Sequence, residues 1–410
     1  MPDLSQPAFV LAVFVTVYLG MILGGLPRLM LDRTGVALLG AIALVGAGVL
    51  TPEAAAKAIH LPTIVLLFAF MVISAQMRLG GFYAAVTRRM AALPLPPAGL
   101  MAVVIGVAAV LSAVFTNDVV CLAMAPILVD ACLRRGLDPV PYLLGLACAS
   151  NIGSAATLIG NPQNMLIGEV LKMPFARYSA QALPSVLAGL VLLWALLAWR
   201  LPPALPPAGP GPAPDLDEPD FDAWQTAKGL AVALALVTVF LLTDWPRDVA
   251  ALVGAGVLLL SRRFHSSRVM GGVDWELLVL FMGLFIVNHA LQQTGLATQA
   301  VHALAAGGLD LGQPLPLAAA TLALSNTVSN VPAVMLLLPV ATAPDAGTLL
   351  ALVSTLAGNL LIVGSIANII VVDAARRRGI TIDWLRHART GVPVTVASLA
   401  VVAVWYQLVR

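Results

Sequence analysis

The sequences SAVFTNDVVCLAMAP, over residues 112–126, and ASNIGSAATLIGNPQNMLIG, over residues 149–168, decide how this chain folds. Both stretches are apolar enough for a membrane, yet polar residues and glycines interrupt each of them. In hydrocarbon an unsatisfied backbone group costs several kcal/mol, so a broken helix survives only where protein buries it or where it lines a cavity. Two such interruptions close together predict a binding site at the depth of the membrane.

The composition of the whole chain also indicates a membrane protein. Of 410 residues, 60% are hydrophobic and only 10% are charged, whereas a soluble domain has about 25% charged residues. Apolar runs recur along the chain, and a helical span needs roughly 20 such residues. We therefore expect an all-α polytopic membrane protein. Three cysteines lie in apolar segments without the spacing of a zinc site, so we expect buried apolar residues; contact of Cys121 or Cys148 with a soft ligand is the alternative.

The chain divides into two similar halves joined by a linker. The first repeat covers residues 1–200, and the second covers 225–410. The linker, residues 201–224, has seven prolines within 201–214 followed by acidic residues, which is typical of a stiff, solvated connector. Each repeat contains a re-entrant hairpin (about 98–131 and 314–342) and then a broken helix (about 140–170 and 347–373).

The repeat rests on identical residues at fixed separations. The hairpins are related by 213 positions and the broken helices by 204, because the connector between them is shorter in the second half. The identical pairs include Asn117 with Asn330, Pro126 with Pro339, Gly160 with Gly364, and Asn164 with Asn368.

Each repeat is predicted to cross the membrane five times, so the second repeat is inverted relative to the first. The arms of the first hairpin, 98–115 and 119–131, each look short for a span, and the arms of the second are predicted at 314–327 and 331–342. Interfacial helices are expected at 82–93 and 295–306. Besides the broken helices, the crossings are predicted at 7–25, 34–50, 60–76, 179–199, 226–243, 248–260, 273–291 and 391–409.

The basic residues predict the orientation. With these spans, 17 of the 22 lysines and arginines fall on one side and 5 on the other. The richer side is cytoplasmic by the positive-inside rule. We therefore expect a multi-pass protein of the bacterial cytoplasmic (inner) membrane, with a cytoplasmic linker and both termini extracytoplasmic.

Asp118 is the one acidic residue predicted to lie deep in the membrane. A charge there costs at least ~2.5–3.5 kcal/mol, so such residues usually face a cavity or a partner. One interpretation is a proton or cation coupling site. The other is a carboxylate that caps the second arm of the hairpin. The second repeat has Val331 at the matching position, so the site is expected to be asymmetric.

The hairpin tips supply further candidate ligands. Asn117 and Asn330 each offer a donor and an acceptor where helix ends point inward, and Thr116 and Ser329 precede them. The alternative interpretation is that these residues only shape two tight turns.

The broken helices complete the predicted site with Asn151, Thr157, Asn161, Asn164, Ser365 and Asn368. Freed backbone carbonyls at such breaks bind Na⁺, and freed N–H groups hold anions. Close helix packing is an alternative role for the glycines. Glu169 and Asp373 are interpreted as interfacial caps, and His289 as a hydrogen-bonded core residue.

Four segments resemble a known superfamily. They are FTNDVVCLAMAP (115–126), ASNIGSAATLIGNPQN (149–164), SNVPAVMLLLP (329–339) and STLAGNLLIVGSIANIIV (354–371). They resemble the ion-transporter superfamily of arsenite permeases, citrate–metal symporters and NhaD-type antiporters, whose wider relatives are SLC13-like anion symporters. The GNPQN break is most similar to uncharacterised anion permeases of bacterial inner membranes.

This resemblance implies secondary transport and a homodimer with a moving transport domain on a fixed scaffold. It also implies that the tips and the breaks around 161–164 and 365–368 bind the substrate and the coupling ion. The family's tip residues correspond to Thr116, Asn117, Asp118, Ser329 and Asn330.

The sequence thus predicts a secondary active transporter for a small ion, an anion or oxyanion by preference, coupled to H⁺ or Na⁺. The alternatives are a Na⁺/H⁺ antiporter using Asp118, an arsenite efflux permease, a passive channel and a membrane enzyme. The sequence contains no HExxH, paired CxxC, P-loop or GxSxG motif, so no catalytic residue, metal site or further cofactor is expected. The expected partners are the substrate, lipid and a second copy of the chain, and not nucleic acid.

Overall fold

The computed structural model describes residues 5–26, 29–201 and 220–409, where the regular structure is helical apart from one isolated bridge between Gly25 and Asp32. The first repeat contains α1 Ser5–Leu23, α2 Arg33–Gly46, α3 Pro52–Ala58, α4 Leu61–Leu79, α5 Phe82–Ala91, α6 Pro97–Val114, α7 Asn117–Arg134, α8 Pro139–Ser154, α9 Pro162–Val170 and α10 Phe175–Trp199. The second contains α11 Ala223–Leu242, α12 Arg247–Leu259, α13 Ser266–Met270, α14 Trp275–Gln293, α15 Leu296–Ala306, α16 Pro314–Val328, α17 Asn330–Leu337, α18 Ala346–Ala357, α19 Ile366–Arg377 and α20 Trp384–Val409, with 3₁₀ turns at Leu338–Val340 and Ile362–Gly364.

The two lists correspond helix by helix, α1 with α11 through to α10 with α20. Seven of the described helices, α1, α4, α6, α10, α11, α14 and α20, are long and apolar enough to cross a membrane. The prediction of an all-α polytopic membrane protein built from two repeats is confirmed. Most of the predicted linker, residues 202–219, lies outside the described ranges, and the sidedness of the termini stays a prediction.

One predicted crossing is shorter than expected, and another is as short as predicted. The segment predicted at 34–50 forms a helix of 14 residues that ends at Gly46, because Gly48 takes a left-handed turn at φ 73°. The segment predicted at 248–260 forms 13 residues, and Ser261 then turns the chain by accepting the backbone N–H groups of Arg263 and Phe264. At 1.5 Å per residue each helix is about 20 Å long, less than the ~30 Å hydrocarbon core.

The centre of the molecule is formed by α7, α8 and α9 with their counterparts α17, α18 and α19. Every residue of α18, and all but one of α8, is buried. α6 and α10 pack on α8, while α16 and α20 pack on α18. By contrast, α10, α11 and α12 expose large apolar side chains such as Leu187, Leu234 and Val253, which suits contact with lipid. The arrangement encloses the interrupted segments between the two repeats.

The hairpins turn within one or two residues. Phe115 and Thr116 join α6 to α7, and Ser329 alone joins α16 to α17. The expectation that both arms of the first hairpin are short for a span is wrong for α6, because its 18 residues are long and apolar enough to cross. Whether the tip lies within the membrane stays a prediction.

Both broken helices are interrupted where the sequence places polar residues and glycines. The first break covers 155–161, between α8 and α9, and the second covers 358–365, between α18 and α19. Asn161 caps α9 by accepting the N–H of Asn164 (2.9 Å), and Ser365 caps α19 through the N–H of Ala367 (3.2 Å). A Cβ at Gly160 would lie 2.3 Å from the Ser154 carbonyl oxygen, so only glycine fits that turn.

Candidate functional site

Asn151, in α8, connects the first hairpin tip to the second break. Its Oδ1 accepts hydrogen bonds from Asn117 Nδ2 (3.0 Å) and Ser365 Oγ (2.9 Å). Its Nδ2 donates to Asn359 Oδ1 (2.9 Å) and Asn368 Oδ1 (3.3 Å). All five side chains are buried. We call them the Asn151 cluster; it joins residues of both repeats through direct side-chain contacts.

A second polar group, the Thr355 cluster, lies between the first break and α18. Asn161 Nδ2 donates to Ser154 Oγ (2.9 Å) and Thr355 Oγ1 (3.1 Å). Gln163 Nε2 also donates to Thr355 Oγ1 (3.4 Å), and Thr355 Oγ1 donates to Asn164 Oδ1 (3.2 Å). The two clusters together hold the broken helices of both repeats against each other.

Asn164 and Asn368 hold the backbone of the breaks in equivalent ways. Asn164 Nδ2 donates to the carbonyl oxygens of Ser154 (3.5 Å) and Thr157 (3.1 Å). Asn368 Nδ2 donates to those of Gly358 (2.7 Å) and Leu361 (3.0 Å), which lie 204 positions later. The hydroxyl of Thr157 donates to the carbonyl oxygen of Ala113 in α6 (2.6 Å). These three predicted site residues use their donors to shape the breaks.

The asparagines at the two tips retain an unused acceptor. Asn117 contacts the first break through its backbone N–H, which donates to the Gly160 carbonyl oxygen (3.2 Å). The Oδ1 atoms of Asn117 and Asn330 are buried and have no hydrogen-bond partner in the part of the chain that the structure describes. Asn330 lies against the second break, because a Cβ added at Gly358 would be 3.3 Å from its Nδ2. A buried oxygen without a donor is costly unless a ligand supplies one or a cation occupies it.

The remaining tip residues make no side-chain hydrogen bond in the described part of the chain. Thr116 is the residue before α7 but does not cap it through its hydroxyl. Asp118 is the second residue of α7, half-buried, and without an ion pair among the described residues. The positive end of the helix dipole favours its carboxylate there. Ser329 has φ 80° and ψ 159°, a conformation that costs a non-glycine residue about 1–3 kcal/mol.

Some residues behave differently from the sequence predictions. Glu169 is no exposed cap, because it is buried and its Oε1 lies 2.8 Å from Arg247 Nε of α12. Asp373 is exposed and pairs with Arg377 on its own helix. His289 is hydrogen-bonded as predicted, with its Nε2 2.9 Å from Gln293 Nε2, but it is half-buried and does not lie in the core.

The cysteine prediction is confirmed, since all three are buried and unpaired with one another. Cys121 Sγ lies 3.0 Å from the Oγ of Ser150, the residue before Asn151. In the described ranges, no three His, Cys, Asp or Glu side chains come together as a metal-binding group. The site is therefore built from amides, hydroxyls and backbone carbonyls, which suit hard cations and oxygen-rich solutes.

Two neighbouring cavities open beside the second hairpin. One, of about 680 Å³, is lined by His60, Phe285 and His289 together with α9 and α17 residues. The other, of about 350 Å³, separates α15 from α17 and is lined by residues that include Thr298, Val301 and Leu336. Both include Asn288, whose Oδ1 accepts a hydrogen bond from Tyr18 OH (3.0 Å).

The chain is similar to known transporters along nearly its whole length. It is 30% identical to an uncharacterized transporter of Mycobacterium tuberculosis, Rv2685, over 92% of this chain and 94% of that protein. It is 28% identical to the silicon efflux transporter LSI3 of rice, over 92% of each chain.

The fold is similar to the crystal structure of the YdaH transporter of Alcanivorax borkumensis, with a TM-score of 0.58, 15% identity and 97% of each chain covered. Residues 9–357 match the model of the citrate transporter family CitMHS. The chain therefore belongs to the CitMHS family of membrane transporters, within the superfamily that its motifs resemble.

Proposed function

We propose that this transporter is secondary active: it moves a small anion or oxyanion across the cytoplasmic membrane by alternating access, coupled to H⁺ or Na⁺. The distribution of basic residues supports an orientation with both termini outside and the linker inside. The two repeats exchange packing arrangements as the polar clusters are exposed first to one side and then to the other.

The difference in packing between equivalent helices carries this proposal. α5 packs against α7 and buries six of its residues. Its counterpart α15 buries none, and the 350 Å³ cavity separates it from α17. The two repeats have equivalent helices that pack differently. This difference supports a second conformation in which each repeat takes the packing that the other has here. In the other conformation, α15 would close on α17, and α7 would move away from α5.

The repeats also differ in one ion pair, which is formed at one of two equivalent positions and not at the other. Arg247, the first residue of α12, pairs with Glu169 in α9 and donates to the carbonyl oxygens of Gly168 (2.7 Å) and Met173 (3.1 Å). Arg33 is the first residue of the equivalent helix α2, yet its Nε is buried and has no hydrogen-bond partner among the described residues. Asp373, the counterpart of Glu169, pairs elsewhere. We infer that Arg33 binds Asp373 in the exchanged conformation, when the Glu169–Arg247 pair is broken.

The composition of the site favours a solute of low charge. Its residues include no lysine or arginine among the two clusters and the hairpin tips. Positive potential would come instead from the N-termini of α7, α9, α17 and α19, each equivalent to roughly half an elementary charge. This supports a neutral or singly charged oxygen-rich solute over a trianion. The rice relative exports silicon, and the family is named for citrate; silicate and arsenite fit this site better than citrate.

The coupling ion is proposed to bind at the tips. The open Oδ1 atoms of Asn117 and Asn330 are suitable ligands for Na⁺. The carboxylate of Asp118, which forms no ion pair with a described residue, is suited to accept a proton or a cation. Its presence favours a second candidate function, a Na⁺/H⁺ antiporter, in which Asp118 alternates between the two ions. Lipid surrounds the exposed apolar helices, and a homodimer is proposed from the family resemblance.

Uptake into proteoliposomes tests the proposal. Arsenite, silicate, phosphate and citrate are each offered with an imposed pH or Na⁺ gradient. We expect at least one of the oxyanions to accumulate above its external concentration only when a gradient is present. Movement that never exceeds equilibrium would indicate a channel. Proton release on addition of Na⁺ without any anion would favour the antiporter.

A further inference from the structure

A histidine in the second repeat occupies the place of a tyrosine in the first. α10 and α20 are equivalent helices, and their internal prolines, Pro184 and Pro393, lie 209 positions apart. Tyr178 and His387 are also separated by 209 positions. Each therefore stands at the same point of its helix, six residues before the proline.

Both side chains contact the same point of their break. Tyr178 OH donates to the carbonyl oxygen of Ala155 (2.7 Å). His387 Nε2 lies 3.1 Å from the carbonyl oxygen of Asn359, which is 204 positions after Ala155. A Cβ at Gly391 would lie 2.2 Å from this same Asn359 oxygen, so α20 is in close contact with the break. The two contacts are equivalent, but only the second uses a side chain that titrates near neutral pH.

The two side chains differ in how many of their polar atoms are hydrogen-bonded. The Tyr178 hydroxyl also accepts a hydrogen bond from Asn164 Nδ2 (3.1 Å). His387 is 1% exposed, and its second ring nitrogen, Nδ1, is buried without a hydrogen-bond partner. Because Nε2 faces a carbonyl oxygen, its hydrogen must reside there, which leaves the lone pair on Nδ1. The structure thus contains a buried basic nitrogen with nothing bound to it among the described residues.

This nitrogen is connected to the Asn151 cluster through one residue. Asn359 accepts from His387 through its backbone and from Asn151 through Oδ1 (2.9 Å). A proton on Nδ1 would turn the bond from Nε2 to Asn359 into a charge-assisted one, which is roughly twice as strong as a neutral bond. Protonation would therefore change how firmly the second break is held in its present position.

The charged groups around His387 lie at the ends of the helices packed against it. On α20, Arg386 pairs with Asp138, which precedes α8, and the backbone of Arg389 accepts from Arg200 after α10 (2.7 Å). On α10, Arg177 pairs with Asp345, which precedes α18. The other titratable side chains on these elements are Tyr178 of α10, Tyr142 and Cys148 of α8, Tyr406 and the preceding Asp383 of α20; the second break has none.

We propose that His387 binds a proton at Nδ1 and is the positioning residue through which proton concentration acts on the second break. The ligand is H⁺, taken up and released as the break changes position. This role rests on the proposed transport function and adds a proton site in the repeat that lacks an equivalent of Asp118.

Substitution by glutamine separates the two roles of His387. His387→Gln keeps an N–H donor for the Asn359 carbonyl oxygen and removes the titratable ring. We expect it to transport, with a rate that varies less than about twofold between pH 5 and 8, the range in which histidine titrates, where the wild type varies at least about tenfold. The matched control, Tyr178→Phe, removes the equivalent donor and should retain the wild-type pH profile. A His387→Gln profile that superimposes on that of the wild type would overturn the proposal.

A second measurement does not depend on transport. The chain has five histidines, so replacing the other four leaves His387 as the single ¹⁵N-histidine signal in the purified protein. Its Nδ1 resonance should move as the pH is lowered from about 8 to 5. A constant chemical shift would refute proton binding even if no substrate were moved, whereas a moving signal without any transport would count against the proposed function alone.

Discussion

Breaking the Glu169–Arg247 pair should close the cavity beside α15. Glu169→Gln leaves Arg247 buried opposite a neutral amide, and removing one partner of a buried pair costs about 3–5 kcal/mol. Both side chains are nearly inaccessible, 5% and 12% exposed, so solvent screens the pair little. Since this pair exists only in the cavity-open conformation of our account, the equilibrium should shift away from it by about two to three and a half orders of magnitude.

A cysteine reporter in the cavity measures that shift. Val301→Cys places a thiol in the lining of the 350 Å³ cavity, in a background where the three buried native cysteines are replaced. A membrane-impermeant maleimide should label this thiol at least about tenfold more slowly in Glu169→Gln, because only the open conformation reacts. Asp373→Asn is the matched comparison: it removes the partner that Arg33 would take in the exchanged conformation, so it should not slow labelling.

Equal slowing of labelling by Glu169→Gln and Asp373→Asn would refute a role of the Glu169–Arg247 pair in this equilibrium. So would unchanged labelling in both folded variants. A further check is the double variant Glu169→Gln with Arg247→Met. It removes the uncompensated charge and should recover part of the labelling rate.

The remaining predictions concern the polar clusters. Asn151→Leu leaves four former partners unsatisfied, at about 1–3 kcal/mol each, and should lower Tm by several degrees and abolish uptake; an unchanged Tm would contradict the described network. Asn330→Ala removes an acceptor that has no donor and should raise the Kd for ligand in a thermal-shift titration with little change in ligand-free Tm; Asn117→Ala should raise the Kd likewise, and should lower the Tm less than Asn151→Leu because Asn151 Oδ1 keeps its bond from Ser365. Asp118→Asn should abolish proton release on Na⁺ addition while retaining oxyanion binding, and an unaltered proton signal would exclude it as the coupling group.

Sequence comparison of the two halves could predict most of the architecture. Broken helices, hairpin tips and the corresponding helices were all indicated by polar residues and glycines recurring at constant separations. The length of α2 could not be predicted the same way, because the apolar residues Val49 and Leu50 follow the point where this helix ends. The left-handed turn at Gly48 decides that end locally.

The site was less predictable where the repeats differ. Asn359, which bonds to Asn151, was missed because its counterpart is Ala155, and identical pairs were the signal used. Asn164 and Asn368 use their donors to close the breaks, which the sequence did not indicate, and their predicted part in substrate or ion binding stays a prediction. The partner of Glu169 lies in the other repeat, and no local pattern links the two residues.

The distance between α15 and α17, measured together with that between α5 and α7, tests the central claim most directly. Spin labels at His302 and Leu336 report the first distance, and labels at Arg89 and Ala123, each 213 positions earlier, report the second. On addition of substrate with its coupling ion, our account predicts that the first distance shortens in the same fraction of molecules in which the second lengthens. Distances that stay constant, or that change in the same direction, would contradict an exchange between the repeats.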